Sequence, residues 1–238
     1  MIKILITGGA GYIGSILTPL LLEEGFNVTV YDALLYGGSS LLPFVSNKNF
    51  SFIKGDIRNK ESLDQAIKKN DVIIHLAAIV GLPACNKDKR LAHSTNVQGT
   101  KNVVDNLSPN QQLIHASTVS NYGASPGNTC NEKSPLNPIS YYGKTKTEAE
   151  KMEYSLFNVG DNSNNYSKEE IAMKIKERID YYLHFADIGE DEDKRNYSVS
   201  YEKINSLGFK TKKTVDEGID ELIKACQIFE FKHPYKNI

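Results

Sequence analysis

The sequence predicts an α/β protein: a parallel sheet with helices on both faces, followed by a reduced C-terminal lobe. Three observations carry this. Short apolar runs alternate with amphipathic helical stretches through the first 155 residues. A glycine-rich turn joins the first run to the first helix. After residue 155 the alternation stops and only two isolated helix-start signals remain. The predicted domains are therefore residues 1–155 and residues 156–238.

Residues 2–7 form an apolar run that reads as a buried strand, and residues 13–24 as the first helix, stopped by Gly25. Residues 28–32 give the second strand, completing a βαβ unit. Strands follow at 50–54, 72–76 and 113–117, with helices at 60–69, over a long stretch ending at Leu107, and from 141 to about 155. Ser167 with Glu170, and Thr214 with Glu217, are spaced as capping boxes. They open helices predicted to reach about Tyr182 and about Phe229. Residues 187–196 read as a charged loop whose acidic run, residues 190–193, is a solvated surface.

The 238 residues are 40% hydrophobic and 24% charged, as in ordinary globular proteins. A formal charge of −1 gives no general attraction to nucleic acid or anionic membrane. No stretch approaches the roughly 20 apolar residues that span a bilayer. The opening apolar run is short and leads into the glycine turn, so no secretory leader is expected. Cys85, Cys130 and Cys226 are widely spaced and form no metal pattern. They read as reduced thiols, and the expected location is the cytoplasm.

Thr7-Gly8-Gly9-Ala10-Gly11-Tyr12-Ile13-Gly14 places glycines at 8, 11 and 14. In a strand–turn–helix context, Gly8 permits the tight turn, Gly11 lets backbone approach a pyrophosphate, and Gly14 permits close packing. The free N–H groups of the helix start, at Tyr12 and Ile13, favour an anion. This is a Rossmann-type dinucleotide site. Asp32 ends the second strand, where a carboxylate accepts hydrogen bonds from ribose hydroxyls and repels a 2′-phosphate, favouring NAD over NADP. Asp56-Ile57 follows the third strand, at a place suited to adenine; the alternative for Asp56 is a turn carboxylate.

Tyr142 and Lys146 stand four apart and share a helix face. An ammonium near a phenol favours the phenolate, which fits Tyr142 for proton transfer beside a hydride acceptor. Tyr141 has Thr145 four residues on and reads as packing. His75 reads as a buried structural histidine.

Five segments in order resemble one family: residues 7–14, His75-Leu76-Ala77-Ala78, Asn96, Ser117-Thr118-Val119-Ser120-Asn121-Tyr122-Gly123, and Tyr142-Gly143-Lys144-Thr145-Lys146. Together they look like the extended short-chain dehydrogenase/reductases, the NAD-dependent nucleotide-sugar epimerase/dehydratase group. The resemblance implies Thr118, five residues before Gly123, as the catalytic hydroxyl beside Tyr142 and Lys146, with Ser117 as the alternative. It implies that Leu76, Ala77 and Ala78 flank the cofactor, and that Lys146 holds the nicotinamide ribose. Asn96 would order a helix bend and a water near Lys146, or else be a plain polar helix residue. The loop at Val80 and Gly81, with Ser120, Asn158 and Arg195, is implied at the substrate, Arg195 on the nucleotide diphosphate. The dehydratases and decarboxylases of the group usually carry an acid after the Ser/Thr; Val119 and Ser120 carry none, so the pattern looks more like the 4-epimerases. The expected reaction is epimerisation of a nucleotide sugar by oxidation and re-reduction. The alternatives are reduction of a keto-sugar or smaller carbonyl, and NAD binding without turnover.

The resemblance breaks after Ser155, where a strand and much of the substrate lobe are missing, as in an internal deletion. Either residues 157–159 supply the missing strand or a partner subunit fills the gap. The family's dimer interface implies a homodimer through helices near 90–106 and 142–155. Size-exclusion chromatography with light scattering at micromolar concentration should then give twice the 26.5 kDa chain mass; a monomer overturns this expectation.

Overall fold

The computed structural model describes residues 1–123, 129–152, 155–185 and 197–229. These divide into two units: residues 1–121 with 138–154, and residues 122–137 with 155–238. The cut near 155 thus has a second part, since residues 122–137 leave the first unit before the chain returns to it.

The first unit is a five-stranded parallel sheet. Its strands are β1 (Lys3–Thr7), β2 (Asn27–Asp32), β3 (Phe50–Lys54), β4 (Val72–His75) and β5 (Gln112–His115). The order β3-β2-β1-β4-β5 puts the first strand at the centre. Helices α1 (Tyr12–Glu23) and α2 (Lys60–Ile67) cross between strands. Ile4, Ile6, Val28, Val30 and Ile74 form one core layer, while Leu5, Tyr31, Leu63, Ile67, Ile73 and Val103 form the other. Alternation along β1 thus feeds both faces, as a doubly covered parallel sheet requires.

The long helix expected before Leu107 is four pieces: α3 (Leu82–Lys87), α4 (Lys89–His93), a π-helical turn (Ser94–Gly99) and α5 (Thr100–Asp105). Asp88 breaks the first two apart, leaving helical geometry to accept a hydrogen bond from Leu91 N at 2.9 Å. The π-helical turn lies where the Asn96 side chain reaches off the helix. Helix α6 (Tyr141–Glu150), capped by Ser140, is shorter than expected.

In the second unit β6 (Thr129–Cys130) pairs in parallel with β7 (Ser198–Val199). Residues 157–159 are not a strand, so they do not supply the sheet's missing member. Both capping boxes form, on α7 (Lys168–Lys176) and on α9 (Val215–Ile228); α8 (Glu202–Asn205) lies between. Helix α7 stops six residues short of Tyr182. The Lys176 ammonium takes the Tyr181 carbonyl and Asp180, and the Tyr181 hydroxyl donates to Ala172 O at 2.9 Å, folding the chain back on the helix. Lys174 and Arg178 bind Asp216 of α9, and Arg178 also binds Asp220.

His75 ties three elements of the first unit. Thr100 Oγ1 donates to Asn96 O at 2.6 Å, so it accepts from His75 Nε2–H at 3.0 Å. Nδ1 then accepts from the Thr7 hydroxyl at 2.6 Å. Burial, then His115 and Lys146 nearby, hold the His75 imidazole well below its ordinary range of 6.5, so it folds neutral. In the unfolded chain it binds a proton below about 6.5. The folded state therefore loses stability as pH falls, with a slope from this group of up to about 1.4 kcal/mol per pH unit. Urea unfolding between about pH 7 and 5.5 should show a flatter dependence in His75→Gln than in wild type; equal slopes would show that His75 is not buried neutral.

Candidate active site

The glycine turn is built by close approach. Gly8 has φ 73°, and a Cβ there would sit 2.6 Å from the Ala77 backbone nitrogen. A Cβ on Gly14 would lie 2.4 Å from Gly9 Cα, so helix α1 rests directly on the turn. A Cβ on Gly11 meets only Gly8 O, at 3.3 Å. The Tyr12 and Ile13 side chains are exposed, and no acidic residue stands in the first turn of α1, so the dipole at its N-terminus favours an anion.

Asp32 holds this turn from the tip of β2. Its Oδ2 accepts from Ala10 N at 3.0 Å and its Oδ1 from Leu34 N at 2.7 Å. The second bond steadies Leu34 at φ 58°, a left-handed conformation that costs a non-glycine residue about 1–2 kcal/mol. A carboxylate has about four acceptor directions, so two remain for ribose hydroxyls.

Asp56 is a turn carboxylate. Arg58 binds it through Nε at 3.0 Å, through its terminal nitrogen at 2.5 Å and through its backbone N–H, holding it below the usual carboxylate range. The Ile57 side chain is buried in the core, and its carbonyl accepts from Asn102 at 3.0 Å. Leu76 and Ala77 each pack partly into one of the core layers, with Ala78 part-buried beside them. Val80 is exposed, and Gly81 takes φ 87° at the start of α3.

Asn96 does more than bend a helix. Its Oδ1 accepts from Ile79 N at 2.8 Å, and its Nδ2 donates to Ile79 O at 3.0 Å and to Thr145 Oγ1 at 3.0 Å. One side chain joins the π-helical turn, the loop after β4 and α6.

Helix α6 packs on α3, α4 and the π-helical turn, and its side chains reach β5 and the turn that follows it. Gly143 admits this: a Cβ there would be 3.2 Å from Ser120 O. At the far end Glu150 Oε2 accepts from Ser117 Oγ at 2.8 Å and from Asn121 Nδ2. Between them Lys146, only 3% exposed, has its Nζ 2.8 Å from His115 Nε2. Tyr142 stands one turn earlier, partly buried against the cluster of Ile79, Cys85 and Ala92. Tyr141 joins the same cluster and donates to Lys89 O at 3.3 Å.

Thr118 lies three residues beyond β5 rather than at its end. Its hydroxyl donates to Ser120 Oγ at 3.1 Å and accepts from Ser120 N at 3.2 Å. Ser120 is buried and Val119 partly exposed. Asn158 belongs to the second unit. It accepts from the Tyr122 hydroxyl at 3.0 Å, donates to Ser200 O at 3.2 Å, and its N–H donates to Glu132 at 2.7 Å. These three bonds anchor it within the second unit. Arg195 lies outside the described residues, as do residues 190–193.

Sequence reasoning missed His115 and Glu150. Both had a signal. The β4–β5 register sets His75 opposite His115, with rings stacked at 5.0 Å. Glu150 continues the four-residue spacing of Tyr142 and Lys146 along one helix face. Among the described residues no group of His, Cys, Asp and Glu is placed to hold a metal, and no helix is long and apolar enough to cross a membrane.

A glycine turn at the end of β1, an acid at the end of β2 and a Tyr-x-x-x-Lys helix beside β5 define a dinucleotide-binding Rossmann-type protein of the short-chain dehydrogenase/reductase kind. The chain belongs to the NAD dependent epimerase/dehydratase family, whose model matches residues 4–161. It is 32% identical over 157 residues to UDP-glucose 4-epimerase 2 of Oryza sativa subsp. japonica, covering 62% of this chain and 38% of that protein. It is also 32% identical to a dTDP-glucose 4,6-dehydratase of Streptomyces niveus, covering 60% and 46%. The matched stretch thus spans less than half of either relative. A UDP-glucuronic acid 4-epimerase variant from Bacillus cereus, solved with NAD and a UDP-fluorosugar, superposes with a TM-score of 0.58 at 31% identity, over 63% of this chain and 50% of that one. The Bordetella bronchiseptica enzyme WbmG, solved with NAD, shares the fold over 96% of this chain and 94% of its own, with TM-score 0.82 and 21% identity.

The glycine geometry separates two roles. Gly14→Ala should lower stability by about 1–3 kcal/mol, because the obstructing atoms are backbone. Gly11→Ala should leave the urea midpoint nearly unchanged and weaken NAD binding about tenfold. Equal loss of stability in both variants would overturn the assignment.

Proposed function

We propose that the chain is an NAD-dependent epimerase of a nucleotide sugar, acting by oxidation and re-reduction at one sugar carbon. The observation that carries this reading is the stripe on α6: Tyr142 one turn before a buried Lys146, on a helix held by Gly143 against the turn bearing Thr118. Oxidising a secondary alcohol removes a hydride from carbon and a proton from oxygen. Bound NAD supplies the place for the hydride and returns it. The chain's residues handle the proton. The Tyr142 phenolate removes it from the sugar hydroxyl, the Thr118 hydroxyl bonds the same oxygen, and the Lys146 ammonium favours the phenolate. When the keto-sugar has turned over, the same Tyr142 proton returns to the new alkoxide, so no net redox change occurs.

The cofactor is held by the glycine turn and Asp32, whose charge disfavours a 2′-phosphate. Leu76, Ala77 and Ala78 flank it, and Val80, Gly81 and Ser120 border the sugar. The residues after Thr118 favour epimerisation over dehydration, since neither Val119 nor Ser120 can act as the acid that eliminating water requires. The chain works as a homodimer in the cytoplasm in this reading. Arg195 contacts the diphosphate. A second reading is reduction of a keto-sugar or a smaller carbonyl by the same Tyr142, Lys146 and Thr118, with NADH as the hydride donor.

A panel of UDP- and dTDP-sugars incubated with NAD should yield an epimer with wild-type protein. Tyr142→Phe should lose about 100-fold or more of turnover and keep NAD affinity. Undiminished turnover would overturn the reading, and net oxidation of NADH by small ketones would favour the reductase.

A further inference from the structure

The proposed function gives His115 no task, yet its ring meets the buried Lys146 side chain; the inference here rests on that reading. Lys146 is 3% exposed, and its Nζ lies 2.8 Å from His115 Nε2. An ammonium carries donors and no acceptor, so Nε2 must present its lone pair. With Lys146 charged, that arrangement requires a neutral His115 ring with its proton on Nδ1. An imidazolium there would set two positive charges 2.8 Å apart in a buried site.

The ring is itself held. It stands opposite His75 in the β4–β5 register, stacked at 5.0 Å with 27° between planes. His75 is locked by Thr7 and Thr100 and stays neutral through burial. His75 from β4 and Lys146 from α6 both face His115. One turn beyond Lys146, Glu150 gives its Oε2 to Ser117 and Asn121.

We propose that His115 is a positioning residue for the reaction: its neutral Nε2 accepts the Lys146 hydrogen bond and so orients the ammonium toward the Tyr142 end of the site. A hydrogen bond to one face of the ammonium leaves its other two protons aimed in set directions, whereas a lysine held only by packing could rotate them freely.

The first test needs no turnover. Long-range proton–nitrogen spectra of the 15N-labelled chain at neutral pH should show His115 neutral, with Nδ1 protonated and Nε2 bare. Lys146→Met and Lys146→Gln should each move the Nε2 resonance. A doubly protonated ring, the opposite tautomer, or a resonance indifferent to both variants overturns the proposal. The second test is kinetic. His115→Phe keeps an aromatic ring against His75 and removes the acceptor; it should lower kcat about tenfold with the sugar KM within about twofold. His115→Gln restores an acceptor and should recover most of the loss. Unchanged kcat in His115→Phe, or equal losses in both variants alongside equal drops in Tm, overturns the proposal. If wild-type protein turns over no sugar in the panel, the functional reading fails, and the spectra alone decide the hydrogen bond.

Discussion

A lysine ammonium out of water is costly, by several kcal/mol even after relaxation, unless its protons find acceptors. Lys146 is such a group, and the layout of the first unit follows from housing it. Helix α6 must lie close enough to β5 for Nζ to reach His115. A Cβ on Gly143 would crowd Pro138 and Ser120 O, and Glu150 fastens the other end to Ser117 and Asn121.

The cofactor end obeys a similar logic with opposite sign. There a carboxylate, Asp32, organises backbone amides. It binds Ala10 within the glycine turn and Leu34 beyond β2, so one acid ties the turn to the chain leaving β2. Gly8 and Gly14 remove side chains where backbone meets backbone. The two ends are joined by Thr7, which closes β1 and bonds His75, and by Asn96, which bonds the loop after β4 and α6.

Much of the first unit was legible in the sequence because its signals are local. Apolar runs located five strands to within a residue or two, and the glycine spacing located the turn. Ser167 and Thr214 each announced a capping box that formed. What escaped depends on distant partners. The stretch before Leu107 kept a helical pattern throughout, but Asp88 and Asn96 divert it by bonding off the helix axis. The burial of Ile57 and the bond of Asn158 to Tyr122 likewise depend on partners distant in sequence. His115 looked like an ordinary strand residue, and only the pairing with β4 gives it meaning.

The interruption of the first unit by residues 122–137 bears on how the chain acquires its structure. Helix α6 is added to the sheet only after an excursion whose strand β6 pairs with β7, about seventy residues later in sequence: Thr129 opposite Ser198. Contacts of such separation form slowly, because loop closure precedes any gain from the contact. On a ribosome the five strands emerge in full before β7 exists, so the sheet and its glycine turn can consolidate while β6 still waits. The order of synthesis thus favours a cofactor half that is ready early and a second unit that matures late.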